Sequence, residues 1–121
     1  MAKILVLDDV MDAGLLVKKI LEKKGHEVIN FTEEEDALEH ARKSKVDLAI
    51  LDIKLKKMNG VEVLEELKKI DSSIRVIMLT GYPTLETARE SLRLGAGEYC
   101  VKPIDKEELE EKVASALYAE G

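Results

Sequence analysis

Short apolar runs alternate with longer amphipathic segments five times along this chain. The runs predict β-strands over residues 3–7, 27–31, 48–51, 75–79 and 98–101. The first and third runs are almost continuously apolar, which is typical of central strands that are covered on both faces. The second run alternates apolar and polar residues, because Asn30 stands between Ile29 and Phe31. It is therefore predicted to form an edge strand.

The segments between these runs carry apolar residues at helical spacing. The clearest sets are Ala13, Leu16, Val17 and Ile20; Val63, Leu64, Leu67 and Ile70; and Leu109, Val113, Ala116 and Leu117. Strands that alternate with helices of about 10–15 residues indicate βαβ crossovers and a parallel sheet. Right-handed crossovers place helices on both faces of such a sheet. The pattern predicts a single doubly wound α/β domain over residues 1–121.

Several polar and glycine positions predict where helices start and stop. Thr32 with Glu35, and Asp105 with Glu108, have the spacing of capping boxes. Gly25 and Gly95 are each expected to lie at the end of a helix. The acidic run at residues 33–36 is expected to complement a helix dipole. In residues 84–94, Leu85, Ala88 and Leu92 share one face and charged residues occupy the opposite face.

Four of the apolar runs end on a polar residue that suits metal or phosphate binding. Asp8 and Asp9 follow the first run, Asp52 the third, Thr80 the fourth and Lys102 the fifth. In a parallel sheet the carboxyl ends of the strands meet at one edge, where open α/β folds bind their ligands. An unpaired carboxylate beside a core is costly unless a cation meets it. We therefore expect these five side chains to form one site.

The residue types at this edge favour phosphoryl chemistry. Carboxylates that converge repel one another, and a hard cation with oxygen ligands, Mg²⁺ or Mn²⁺, relieves that repulsion. A carboxylate oxygen is a recognised nucleophile toward phosphorus. The Lys102 ammonium and the Thr80 hydroxyl then share the charge of the phosphoryl group, which is most of what the transfer needs.

The composition narrows the function classes. The 121 residues include 25 acidic and 19 basic side chains, for a net charge of −6, one Phe and no Trp. This balance argues against direct nucleic-acid binding by the domain, which needs clustered cations or stacking aromatic residues. The longest apolar run has four residues and the chain begins without a signal-peptide segment. We expect a cytoplasmic protein without membrane contact, in which the lone Cys100 fills the core.

The local motifs resemble the receiver domain of two-component response regulators. They are LDD at residues 7–9, ILDIKLKKMNG at 50–60, MLTG at 78–81 and VKP at 101–103. Each motif stands in the family's order, and the resemblance covers the whole chain. It implies a chemotaxis-regulator-like, flavodoxin-like fold with the strand order 2-1-3-4-5.

The resemblance also implies how a metal and a phosphoryl group would be held. Asp52 matches the phosphoacceptor. Asp9 would bind Mg²⁺ directly and Asp8 mainly through a water, while the backbone carbonyl of Lys54 would supply another ligand. A protein of this kind is not an enzyme in the usual sense, although it assists its own phosphorylation and dephosphorylation.

A second group of matched residues belongs to the family's conformational switch. Thr80 is the switch hydroxyl that moves toward the phosphoryl group, and Tyr99 is the aromatic residue that turns inward with it. Lys102 would pair with phosphoryl oxygens, and the peptide bond before Pro103 would be cis. The output face in this family is formed by the fourth helix, fifth strand and fifth helix.

The chain departs from the family pattern in the loop after Asp52. Leu55 and Lys56 replace the usual Met-Pro, and Asn59-Gly60 replaces Asp-Gly, with a positive φ angle expected at Gly60. Lys54 and Tyr82 occupy positions that flank the path of the attacking water in relatives. We expect these two bulky side chains to slow self-dephosphorylation.

The resemblance implies a sensor histidine kinase or phosphotransfer protein as donor, and a downstream effector or attached output domain as target. The domain is expected to be a monomer, with dimerisation on phosphorylation left open. Three alternatives remain: a receiver used only as a scaffold, a nucleotide-binding flavodoxin-like domain, and a haloacid-dehalogenase-like phosphatase. A glycine-rich phosphate loop is missing after the first strand, and Val10 stands where that phosphatase needs a second aspartate.

Overall fold

The computed structural model describes residues 2–118, and in this range the chain alternates five strands with five helices. The elements are β1 (Lys3–Leu7), α1 (Met11–Glu22), β2 (Glu27–Phe31), α2 (Glu34–Lys43), β3 (Leu48–Leu51), α3 (Gly60–Ile70), β4 (Arg75–Thr80), α4 (Leu85–Arg93), β5 (Glu98–Val101) and α5 (Lys106–Tyr118). Four strands have the predicted bounds, and β4 extends one residue further, to Thr80. The first and last residues of the predicted domain lie outside the described range.

The strands form one parallel sheet in the order β2-β1-β3-β4-β5, as predicted. β1 and β3 lie inside the sheet, and β2 lies at one edge. All four residues of β3 are buried, because helices cover both of its faces. The continuously apolar runs therefore mark the central strands correctly.

Two apolar cores form because successive strand residues point to opposite faces of the sheet. Leu5, Ala49 and Met78 face α2 and α3 in one core. Ile4 and Ile50 face α1 and α5 in the other. This arrangement confirms the doubly wound fold. None of the helices within residues 2–118 combines the length and the apolar character that crossing a bilayer requires.

Helix ends follow the sequence signals in three of the four predicted places. Gly25 and Gly95 lie in the turns directly after α1 and α4, with φ angles of 89° and 102°. The amide of Glu108 donates to the Asp105 carboxylate at the start of α5 over 2.8 Å. The predicted cap at Thr32 is wrong. The last extended residue before α2 is Glu33, and no side chain caps this helix.

Some of the apolar residues at helical spacing in α1 and α4 are exposed. Leu16 of α1 is exposed, and Leu85 and Leu92 of α4 are 67% and 56% exposed. α4 instead buries Ser91. In α1 the apolar face is buried at Val17 and Ile20 packs against the core, so only Leu16 of that set is exposed. In α4 the face that carries Leu85 and Leu92 is turned to solvent.

Candidate functional site

The carboxyl ends of β1, β3, β4 and β5 bring the predicted site residues to one edge of the sheet. Backbone hydrogen bonds extend the strand pairing by one residue at three of these ends. The Asp8 amide donates to the Phe31 carbonyl over 3.1 Å, and the Asp52 amide donates to the Leu7 carbonyl over 3.0 Å. The Lys102 amide likewise donates to the Thr80 carbonyl over 2.8 Å. The sheet itself therefore fixes the backbone of these polar residues.

Three carboxylates converge at this edge. One oxygen from each of Asp8, Asp9 and Asp52 lies within 4.8 Å of the others. Asp8 is 5% exposed and Asp52 is 6% exposed, so little solvent screens their charges. At such separations two like charges repel by about 4 kcal/mol at an effective dielectric constant of 20. This cluster needs cationic compensation.

Lys102 supplies part of that compensation from the end of β5. Its ammonium donates to an Asp8 oxygen over 2.6 Å and to an Asp52 oxygen over 3.0 Å. Burial alone would lower the pKa of Lys102, but the hydrogen bonds and charges of the two carboxylates raise it above its ordinary value. The lysine is therefore held in its charged form between the two aspartates.

Backbone amides orient the remaining oxygens of the same two carboxylates. The Val10 amide donates to Asp8 Oδ1 over 2.9 Å, and the Ile53 amide donates to Asp52 Oδ1 over 2.6 Å. Each carboxylate is thus held between an amide and the ammonium. Such bonds restrict rotation of the carboxylate group. The site is preorganised before any ligand enters.

The donor set fits a hard divalent cation. Among the described residues the Lys102 ammonium pairs with two of the three carboxylates, those of Asp8 and Asp52, so negative charge remains at the point where the three oxygens converge. Oxygen-only ligands at a partly open surface are what Mg²⁺ and related cations select. Asp8, Asp9 and Asp52 are therefore the residues that could hold such an ion.

Thr80 ends β4, and the bulky side chains of Lys54 and Tyr82 lie in the loops that follow β3 and β4. Thr80 is buried at the end of β4, and its hydroxyl accepts a hydrogen bond from the Tyr82 amide over 3.0 Å. The hydroxyl proton is not used in that bond. The Lys54 ammonium lies 4.4 Å from the centroid of the Tyr82 ring, in a cation–π contact. The structure thus pairs the two side chains that flank the expected water path.

Tyr99 is linked to the start of α4. Its side chain is half-buried and packs against the core on the α3 side. Its hydroxyl lies 2.7 Å from the Thr87 hydroxyl, and it accepts a longer bond of 3.4 Å from the Thr84 amide. Thr84 caps α4 by accepting from the Thr87 amide. A rotation of the tyrosine would therefore break a bond to the first turn of α4.

The loop between β3 and α3 closes tightly on Asp52. The expectation of a positive φ angle at Gly60 is wrong, because Gly60 is the first residue of α3 and Asn59 is its N-cap. Asn59 and Glu62 form a reciprocal capping box. A Cβ atom at Gly60 would lie 1.9 Å from the Asp52 carbonyl oxygen. Gly60 is thus required by close backbone approach and not by an unusual backbone angle.

Two residues of this region were not predicted as parts of the site: Gly60 as a contact of Asp52, and Glu34 as a contact of the following loop. The Lys102–Pro103 peptide bond, which follows β5, is cis, as expected from the sequence.

Glu34 could have been found from the sequence. A signal for Glu34 exists in the sequence, because it precedes Ala37, Leu38 and Ala41 at helical spacing and thus lies on the buried face of α2.

Three comparisons with known proteins agree on one protein family. Residues 4–114 match the model of the response regulator receiver domain. The chain is 36% identical to sporulation initiation phosphotransferase F of Bacillus subtilis over 115 residues, which are 95% of this chain and 93% of that protein. Among solved structures, a CheY-like response regulator receiver domain protein from Methanospirillum hungatei superposes with a TM-score of 0.94 at 36% identity, covering 97% and 94% of the two chains.

Some relatives are much longer than this chain. The transcriptional regulatory protein ZraR of Klebsiella oxytoca is 35% identical over 114 residues, which are 94% of this chain but 26% of that protein. The chain therefore spans about a quarter of that relative. The similarity to that regulator is confined to this part of its length.

Proposed function

Since the chain belongs to the response regulator receiver domain family, we propose that it is a phosphoacceptor switch in which Asp52 receives a phosphoryl group. Receiver domains are signalling switches and not classical enzymes. The observation that carries the proposal is the convergence of the Asp8, Asp9 and Asp52 carboxylates with the Lys102 ammonium at one sheet edge. The relative named as a phosphotransferase supports phosphoryl transfer as the chemistry.

In the transfer, an Asp52 oxygen forms a bond to phosphorus while the bond from phosphorus to the donor's imidazole nitrogen breaks. The imidazole leaves with the electron pair of that bond. Mg²⁺, held by the three aspartates and the Lys54 carbonyl, would supply charge stabilisation for the phosphoryl oxygens. Lys102 exchanges its contact with Asp52 for one with the phosphoryl oxygens. Asp52 is already oriented for the reaction by the Ile53 amide.

The transfer is read out through Thr80 and Tyr99. The Thr80 hydroxyl keeps a free proton while it accepts from Tyr82, so it is able to donate to a phosphoryl oxygen. Its movement opens space that favours an inward rotation of Tyr99. That rotation breaks the bond to Thr87 and changes the first turn of α4. The face formed by α4, β5 and α5 then alters its preference for an effector or an attached output domain.

We propose a sensor histidine kinase or a phosphotransfer protein as the donor and the cytoplasm as the location. One receiver domain over residues 1–121, monomeric before phosphorylation, is the simplest form of the proposal. The match to a quarter of a transcriptional regulator supports an attached output domain as one arrangement. The phosphatase alternative loses support at Val10, an exposed apolar residue that has no acid–base group.

Removal of the metal tests the proposed chemistry. Wild-type protein incubated with acetyl phosphate and Mg²⁺ is expected to gain phosphate at least about tenfold faster than with excess EDTA, because the three carboxylates repel an anionic donor. Intact mass spectrometry over a time course measures both rates, with ionic strength matched. Equal rates would contradict the role of the metal. If folded protein gains no phosphate under either condition, the scaffold alternative is favoured.

Loss of the Lys54–Tyr82 contact is expected to shorten the lifetime of the phosphorylated state. In this proposal the ring and the ammonium, which lie 4.4 Å apart in the loops after β4 and β3, restrict the approach of water to Asp52, so the double substitution Lys54→Ala and Tyr82→Ala should open it. We expect hydrolysis to accelerate roughly fivefold to tenfold, equivalent to about 1–1.4 kcal/mol on the barrier. The decay of the phosphorylated mass after removal of the donor gives the rate.

The matched control for this prediction is Tyr82→Phe. Phenylalanine keeps the ring and its electron-rich face, so the contact with Lys54 and the wild-type lifetime should both persist. A double-alanine variant that hydrolyses at the wild-type rate would show that these side chains do not limit access of water.

A further inference from the structure

Glu34 is a buried carboxylate that the proposed transfer does not use. It is the first residue of α2, it is 2% exposed, and it faces the loop between β3 and α3. One of its oxygens, Oε2, accepts two backbone hydrogen bonds, from the Lys57 amide over 2.5 Å and from the Met58 amide over 2.8 Å. A charged acceptor that takes two amides from a neighbouring loop ties that loop to the helix.

The amide contacts outweigh the burial of this carboxylate. Burial alone would raise the pKa of Glu34, but its own backbone amide and those of Met58 and Lys57 hold the pKa below its ordinary value. Its other oxygen, Oε1, is buried without a hydrogen-bond partner among the described residues. Such an arrangement is costly unless the two amide bonds that remain are strong. Glu34 is therefore held in place as an ionised group.

Among residues 2–118, the backbone of the loop that Glu34 contacts is otherwise hydrogen-bonded only near its two ends, while the side chains of Leu55 and Met58 pack against the core. At the start, the Asp52 amide pairs with β1. At the end, the Gly60 amide donates to the Ile53 carbonyl over 2.7 Å. The middle of the loop has no proline in this chain. Glu34 provides the buried polar contact there, while the neighbouring pair Glu33–Lys56 is at the surface and contributes little.

We propose that Glu34 is a positioning residue for the metal site, which holds the loop that carries the Lys54 carbonyl at the distance from Asp52 that cation binding requires. The inference rests on the proposed function, because it takes the Lys54 carbonyl as a ligand. Glu34 touches neither the metal nor the phosphoryl group and acts through the loop backbone at Lys57 and Met58. Outer contacts that orient ligands commonly change metal affinity by about 10-fold to 100-fold.

The geometry predicts how different substitutions behave. Both amides donate to the same oxygen, so the carbonyl oxygen of a glutamine can accept both, and its NH₂ group then occupies the place of Oε1. Glu34→Gln should therefore preserve the loop. Glu34→Ala removes the acceptor. Glu34→Asp keeps a charge at the helix start but is shorter by one methylene and should not reach the loop amides.

The test compares these three variants with wild type by amide-resolved NMR. Hydrogen exchange at Lys57 and Met58 reports on the clamp, and titration with Mg²⁺ alone, followed at the Ile53 and Lys54 amides, gives the dissociation constant. For Glu34→Ala and Glu34→Asp we expect faster exchange at the two amides and Mg²⁺ binding weakened about tenfold. Glu34→Gln should remain within about twofold of wild type.

Glu33→Ala is the matched control, because it removes the surface contact between Glu33 and Lys56 of the same loop and leaves the buried clamp intact. Its Mg²⁺ affinity should equal that of wild type. The inference is overturned if Glu34→Ala or Glu34→Asp loses protection at Lys57 and Met58 yet binds Mg²⁺ as wild type does, or if protection is unchanged. Should Glu34→Ala fail to fold, Glu34→Asp decides between these outcomes.

The experiment also separates this inference from the proposed function. If wild-type protein does not bind Mg²⁺ at all, the proposed function fails, and the exchange data still establish whether Glu34 holds the loop. If wild type binds Mg²⁺ and gains phosphate but the Glu34 variants match it in affinity, only the positioning role is wrong.

Discussion

Asp52→Asn is expected to abolish phosphorylation completely. Wild-type protein incubated with Mg²⁺ and acetyl phosphate should gain one phosphoryl group, about 80 Da, while the variant gains none, because the phosphate adds to a carboxylate oxygen that the amide lacks. Asparagine preserves the size of the side chain. Its carbonyl oxygen can still accept a hydrogen bond from Lys102 or from the Ile53 amide, so the fold should be retained. Intact mass spectrometry measures the gain directly.

Asp71→Asn is the matched control for this result. Asp71 follows α3 at the opposite edge of the sheet, and its carboxylate is exposed and bonded to Ser73. This variant loses the same charge far from the site and should gain phosphate at the wild-type rate. Persistent phosphorylation of Asp52→Asn would identify a different acceptor and contradict the proposed role of Asp52.

The sheet could be predicted from the sequence because its signals are local and repeated. A run such as residues 48–51 is apolar at every position, which is typical of a strand that is covered on both faces. The polar residue that follows each such run then falls at the carboxyl edge by topology alone. Asp52 and Lys102 therefore belong to one site, although they are 50 residues apart.

The orientation of the helices could not be predicted in the same way. Helical spacing shows that Leu85 and Leu92 share a face, but it does not show which face meets the sheet. In the structure α4 approaches its neighbours with Ser91, a small side chain that allows close packing. Both leucines remain on the surface as a result.

The contacts within the site depend on side-chain rotamers and loop geometry, and these are not encoded in spacing. The strand ends identify Lys102 and two aspartates, but not that one ammonium bridges both carboxylates. Tyr99 is similarly recognisable by resemblance, whereas its bond to Thr87 follows from the position of α4. The sequence therefore predicts which residues meet, and the structure supplies how they are connected.

Gly60→Ala is expected to be the most destabilising single methyl addition near the site. The new Cβ would lie 1.9 Å from the Asp52 carbonyl oxygen, and this neighbour is backbone, so it cannot rotate away as a flexible side chain would. Relief requires that α3 or the end of β3 shift. Overpacking of this kind costs about 1–3 kcal/mol and occasionally more. We expect the free energy of unfolding to fall by about 3 kcal/mol, measured by urea denaturation.

Gly97→Ala provides the comparison that isolates this contact. An added Cβ at Gly97 meets only the Val76 carbonyl oxygen at 3.7 Å, an ordinary van der Waals distance, and Gly97 has no positive φ angle. This variant should unfold within about 0.5 kcal/mol of wild type. If Gly60→Ala were equally harmless, α3 would not lie against the Asp52 backbone as described.

The same substitution should also affect phosphorylation, because the backbone that the new Cβ displaces carries the proposed phosphoacceptor. Gly60→Ala should slow phosphorylation of the fraction that remains folded, whereas Gly97→Ala should not.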